Sequence, residues 1–281
     1  MQETSEFTTS DGVVIRFACL GAGPPLYLCQ GGPLGDRRGL LAQIAPVQDR
    51  YTLVSHDYRG SGASSTAPAS TYRFEQLADD LDELRAHLGH QRIDVLAHSM
   101  GVPVALHFAL RHSDSARRVV LSGGTPISPR LMPWTMTRTL GPRRLLEVQA
   151  RALAYLVWWS WRAPCPGRDM ALIRLSEATG RSDRPFRHAG SEPVHDNDNA
   201  ASLQRAYLDF DVTEHLARID QRVLVVFGQR DAIAVAGAPR FEALRNVEFA
   251  VLPSIGHEIF ADAHEQALER VTAFLDHQYG D

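Results

Sequence analysis

Ser99, Asp231 and His257 have the chemistry, the chain order and the surroundings for nucleophilic catalysis. A serine hydroxyl is a weak nucleophile until an imidazole takes its proton, and that imidazole needs a third group to fix its tautomer. Ser99 lies in Ala97-His98-Ser99-Met100-Gly101, with small residues two positions away on each side. Ile93 to Leu96 read as a buried strand before it, and Val102 to Leu110 read as a buried helix after it. A serine at so sharp a turn is lifted clear of the sheet edge on a strained backbone that tolerates only small neighbours. The first amides of the following helix have no partner inside it and favour negative charge beside the serine. Pro103 falls in that first turn, where a missing N–H costs little. The pentapeptide alone also fits an ordinary turn with an inert serine, so the other two residues must decide.

Each of them comes just after a strand. Val223 to Phe227 runs into Gly228-Gln229-Arg230-Asp231, and Val247 to Leu252 runs into Pro253-Ser254-Ile255-Gly256-His257. In a parallel sheet those ends share one edge with the end of the Ser99 strand, which is where such sheets bind ligands. Asp211 and Asp220 precede their strand and are poorer candidates. His98 adjoins Ser99, but a tight turn directs neighbouring side chains apart, so it reads as a packing residue. His107 and His112 fall on the helix after the turn. His195-Asp196-Asn197-Asp198 has metal-binding residue types, but consecutive polar loop residues are usually solvated, and no metal site is expected.

The elements that place these groups alternate. Glu6 to Thr9, Ser10-Asp11-Gly12 and Val13 to Cys19 read as a hairpin. Pro25 to Cys29 is a strand that runs into Gln30-Gly31-Gly32-Pro33-Leu34-Gly35. That loop is either a plain turn or a place where amides point at a ligand. Leu40 to Pro46 reads as a short helix and Tyr51 to Ser55 as a strand, which ends in His56-Asp57-Tyr58-Arg59-Gly60-Ser61-Gly62. Phe74, Leu77, Leu81, Leu84 and Leu88 recur at helical spacing, and Gly89 stops them. Arg117 to Ser122 is a strand, Pro239 to Leu244 a helix, and Ala263 to Gln278 a closing amphipathic helix. Alternating strands and helices predict an α/β fold: a mostly parallel central sheet flanked by helices.

The pattern lapses from Gly123 to about Phe210, which holds no convincing strand. Leu145 to Trp161 and Asp169 to Thr179 read as helices, and Gly180 to Asn199 as loop. This interval is taken as an inserted helical lid. The division is therefore a core of residues 1–124 and 211–281 and a lid (cap) of residues 125–210. In the lid, Trp158, Trp159, Trp161, Tyr155, Met132 and Met136 either line an apolar substrate pocket or pack the lid onto the core.

Taken together, Gln30-Gly31-Gly32-Pro33, Asp57 to Gly62, His98-Ser99-Met100-Gly101, Gly228 to Asp231 and Gly256-His257 resemble the α/β-hydrolase family. The likeness covers Phe7 to Gly124 and Leu216 to Tyr279. It implies the α/β-hydrolase fold and a Ser99–His257–Asp231 triad, with an oxyanion hole made by the amides of Gly32 and Met100. It also implies cofactor-independent cleavage of an ester or amide in a small acyl compound. The glycine-rich loops are similar to those of proline iminopeptidases. Gln30 replaces the usual histidine there, Leu34 interrupts the glycines, and Ala97 and Met100 replace glycine and tryptophan at the turn. Those peptidases hold a substrate amine with a tryptophan–acid pair in the lid. Here Trp158-Trp159-Ser160-Trp161-Arg162 puts arginine at the acid's place, leaving Glu147 or Glu177 for that duty. Lyase or carbon–carbon cleavage chemistry, and ligand binding with little turnover, are the alternatives within the fold.

Bulk composition agrees. The 44% hydrophobic and 22% charged content is that of a globular protein. A net charge of −4 offers no basic surface for nucleic acid. The start is acidic and polar, unlike a secretion signal. The longest apolar run, Ala152 to Trp161, is too short to span a membrane. Cys19, Cys29 and Cys165 lack metal spacing and suit reduced thiols in a cytoplasmic protein.

Overall fold

The computed structural model describes residues 4–32, 36–128 and 197–276. Eight strands among them form one sheet: β1 (Thr4–Thr8), β2 (Val14–Leu20), β3 (Pro25–Cys29), β4 (Thr52–His56), β5 (Ile93–His98), β6 (Ala116–Ser122), β7 (Arg222–Gly228) and β8 (Val247–Leu252). Their spatial order is β1-β2-β4-β3-β5-β6-β7-β8. β1 and β2 pair antiparallel, as do β2 and β4, and every later pairing is parallel. The helices are α1 (Arg37–Ile44), α2 (Phe74–His87), α3 (Gly101–Arg111), α4 (Asn197–Asp209), α5 (Ala232–Gly237), α6 (Ile259–Asp262) and α7 (His264–Asp276).

β5 is buried along its whole length, and β3, β6 and β7 along most of theirs, because helices cover both faces. Alternation then sorts their side chains. Ile93, Val95 and Ala97 of β5, with Val119 and Leu121 of β6, face α2 and α3. Leu96, Val120, Leu224 and Val226 face the other way, against Leu40, Leu41 and Ile44 of α1 and Val271 and Phe274 of α7. The leucines of α2 supply the first layer: Leu77, Leu81 and Leu84 are fully buried, each worth about 2 kcal/mol.

Register carries the catalytic consequence. His98 pairs with Ser122, Ser122 with Val226, and Gly228 with Leu252. The ends of β5, β6, β7 and β8 are therefore level, and the loops leaving these four strands emerge at one rim.

Some elements differ from the sequence reading. The helix read at Pro239 to Leu244 is present as a 3-10 helix, Ala238–Ala243, with Pro239 in its first turn. The polar stretch read as loop to Asn199 gives way to α4, which starts at Asn197. Its apolar stripe is thin, but Leu203 is fully buried and the Tyr207 ring meets Phe74 at 6.5 Å. Ile127 forms an isolated bridge with Asp211 in the interval expected to lack strand. There Ser128 N donates to Phe210 O at 2.7 Å and Val212 N to Pro126 O at 3.0 Å. That pairing joins residues far apart in sequence, so local pattern could not reveal it. The expected helices Leu145–Trp161 and Asp169–Thr179 lie outside the described residues, as do Trp158, Trp159, Trp161, Tyr155, Met132, Met136, Glu147, Arg162, Glu177, Cys165 and His195.

Candidate active site

The turn after β5 has the expected strain. Ser99 is in the left-handed region at φ +52°, which costs a residue with a Cβ about 1–3 kcal/mol. The surroundings hold it there. Ser99 N donates to Ser122 O at 2.8 Å, and Val102 N donates to Ser99 O at 3.0 Å. A Cβ on Gly101 would run into the Cys29 carbonyl, so α3 begins flush against β3. The glycine loop after β3 passes equally close: a Cβ on Gly31 would lie 2.9 Å from Ser99 Cβ. Gly32 beside it has φ +74°.

Asp231 sits three residues past β7 and caps α5. Its Oδ1 accepts from Ile233 N at 3.1 Å and Ala234 N at 3.2 Å. Its Oδ2 lies 2.6 Å from His257 Nδ1. One carboxylate oxygen thus fixes the residue while the other holds the imidazole. The loops after β7 and β8 are joined directly: Gln229 N donates to Leu252 O at 2.9 Å and Arg230 N to Ile255 O at 2.8 Å. A Cβ on Gly228 would run into the carbonyls of Gly256 and Ile255. Glycine is required there because backbone meets backbone.

The remaining nitrogen of the ring, His257 Nε2, lies 2.9 Å from Ser99 Oγ. Asp231 and His257 are 2% and 3% exposed, while Ser99 is half-buried and so reachable. Residues 99, 231 and 257 therefore form the hydrogen-bonded chain of a serine-hydrolase triad. The matching family model, alpha/beta hydrolase fold, spans residues 24–263. This chain belongs to the alpha/beta hydrolase fold family. It is 25% identical over 284 residues to the proline iminopeptidase PfmaB of Pestalotiopsis fici, covering 96% of this chain and 99% of that protein. It is 27% identical over 258 residues to the non-heme chloroperoxidase CPO-A1 of Kitasatospora aureofaciens, covering 90% and 91%. Among solved structures, a thermophilic esterase from Thermogutta terrifontis superposes with a TM-score of 0.74 at 24% identity, covering 97% of this chain and 98% of the esterase. As an alpha/beta hydrolase, the protein is related to esterase-type and iminopeptidase-type enzymes.

The rivals of Asp231 and His257 have other partners. Asp211 is exposed and accepts from Thr213 N at 2.9 Å. Asp220 pairs with Arg245 at 2.6 Å. His112 lies 2.8 Å from Asp79 and His107 3.9 Å from Glu75, both on the flank of the hydrolase core. His98 is buried, as a packing residue should be, but its place was not foreseen. Its ring centroid is 5.1 Å from that of His257, and Nδ1 is 3.1 Å from Ser122 Oγ. A histidine directly before the nucleophile was the available signal. Side-chain direction at the turn decided its neighbour.

The loop from Asp57 to Gly62 is structural. Asp57 is fully buried, accepting from Arg37 N at 2.7 Å and Ala63 N at 2.9 Å. The Arg37 guanidinium also donates to it. Arg59 is fully buried. Its Nε donates to Asp80 Oδ2 at 2.8 Å, and Nη1 to Asp11 Oδ2 at 2.8 Å. Beneath the turn, burial pushes the Cys29 thiol up to about 12, so it stays protonated and inert.

Proposed function

We propose that the protein hydrolyses an ester or amide bond in a small, partly apolar acyl compound through an acyl-enzyme. The 2.9 Å approach of His257 Nε2 to Ser99 Oγ carries this reading. His257 takes the Ser99 proton as the oxygen attacks the acyl carbonyl. Asp231 holds the imidazole tautomer and stabilises its charged form. The oxyanion is received by the amides of Met100, which caps the start of α3, and Gly32, which follows the Gly31 that passes close to Ser99. One such donor is worth about 3 kcal/mol. His257 then protonates the leaving group, and a water molecule repeats the sequence to free the acid and Ser99. Neither metal nor organic cofactor enters any step.

Trp158, Trp159, Trp161 and Tyr155 are our candidates for the acyl pocket, on a lid of residues 125–210 inserted between core segments 1–124 and 211–281. Among the described residues Cys19 and Cys29 are free thiols, which supports our reading of a cytoplasmic location. Among the described residues no helix is long and apolar enough to cross a membrane.

The likeness to PfmaB, named a proline iminopeptidase, favours a second reading as an aminopeptidase. Arg162 argues against it, since a cation cannot hold a substrate ammonium. One experiment addresses both. A fluorophosphonate probe should label wild-type protein and not Ser99→Ala, and p-nitrophenyl esters should turn over faster than prolyl p-nitroanilide. Absence of labelling would remove the hydrolase reading, and preference for the anilide would replace it with the second.

A further inference from the structure

His98, His257 and Glu258 place three metal-ligating atoms within 4.8 Å of one another at the rim of the site. His98 is 7% exposed, and among the described residues its buried Nε2 has no hydrogen-bond partner. That nitrogen lies 3.3 Å from Glu258 Oε2. The opposite ring nitrogen faces Ser122 Oγ at 3.1 Å. This matches the habit of metal-bound histidines, which fix their second nitrogen on a neighbouring polar group. Two imidazoles and one carboxylate form a donor set that zinc accepts. Around a tetrahedral ion with arms of about 2.0–2.1 Å, adjacent ligand atoms sit about 3.3 Å apart. His98 and Glu258 already stand at that separation.

We propose that His98, Glu258 and His257 form a binding site for a divalent transition metal of the zinc type, and that its occupation switches the triad off. A metal on His257 needs the lone pair of one ring nitrogen. Taking Nε2 breaks the 2.9 Å contact with Ser99, and taking Nδ1 breaks the 2.6 Å contact with Asp231. In either case the serine loses its base, and any proton displaced from the ring goes to solvent. Nothing is oxidised or reduced, so removing the metal restores the enzyme. Magnesium and calcium favour sites built wholly from oxygen and bind here weakly. The metal is an inhibitor and takes no part in turnover.

Loss of rate on metal binding rests on the serine-hydrolase reading, while the binding itself does not, so both are measured on the full chain. In p-nitrophenyl acetate hydrolysis, zinc chloride should inhibit the wild type, magnesium chloride should not, and EDTA should restore the rate. His98→Gln and Glu258→Gln, each normalised to its own metal-free rate, should need about 10-fold more zinc or higher for half inhibition. Separately, cobalt(II) added to Ser99→Ala should develop the intense visible absorption of a tetrahedral ion, and Ser99→Ala/His98→Gln should not. Tetrahedral cobalt in a protein without hydrolytic activity would keep the site and sink the hydrolase reading. The proposal is overturned by zinc insensitivity of an active wild type. It is equally overturned by half inhibition at the same zinc concentration in both single variants as in wild type, or by a cobalt spectrum that is unaltered by the protein.

Discussion

At the scale of single residues, the site combines strain at Ser99 with tight hydrogen bonding at Asp231. Replacing Ser99 by alanine removes the nucleophile, so hydrolysis of p-nitrophenyl acetate should fall to background while the fold persists. Ser99→Gly should also be inactive, yet unfold at higher denaturant by about 1 kcal/mol, because glycine adopts φ +52° without a Cβ penalty. A lower midpoint for the glycine variant would show that the turn is not strained. Asp231→Asn should cut kcat about 10⁴-fold by favouring the wrong tautomer of His257. The triad residues were readable in the chain because each comes just after a strand of strong apolar character. The closeness of His98 and Glu258 was not, since side-chain direction at a turn depends on backbone angles that composition does not set.

At the scale of elements, the loops after β7 and β8 act as one unit because Gly228 meets the carbonyls of Gly256 and Ile255. Gly228→Ala should push these loops apart and carry Asp231 away from His257. The expected result is a loss of kcat of about 100-fold, the usual effect of a misplacement near 1 Å. A rate within twofold of wild type would show that the loops give way without moving the triad. Arg59 ties the loop after β4 to α2, and Asp80→Asn leaves part of a fully buried guanidinium without its counter-charge. That change should destabilise the protein by about 3 kcal/mol in urea unfolding, with kcat little changed. The motif Asp57 to Gly62 was visible as glycine-rich sequence. Its role in fixing α1 and α2 emerged only from the partners that Asp57 and Arg59 find far along the chain.

At the scale of the whole molecule, acid sensitivity should come from a histidine outside the mechanism. His56 ends β4 and is 1% exposed. Among the described residues neither ring nitrogen has a hydrogen-bond partner, and burial pulls its pKa down to about 4. The folded protein therefore keeps His56 neutral between pH 6.5 and 4 while the unfolded chain takes up a proton. Stability from this source is full above pH 6.5 and falls by about 3 kcal/mol as pH drops to 4. His56→Phe, which retains a ring against Tyr58, should lose less stability than wild type between pH 7.5 and 4.5 in urea titrations. Equal losses would show that other groups set the acid limb. The sequence by itself determined the class of fold and the order of the catalytic groups, because runs of buried strand residues, helical leucine spacing and glycines at strand ends are local signals. Tertiary structure alone decided that four strand ends lie level, that two loops meet backbone to backbone, and that Ile127 bridges Asp211. Those outcomes depend on the register between distant segments, and register is fixed by packing many residues at once.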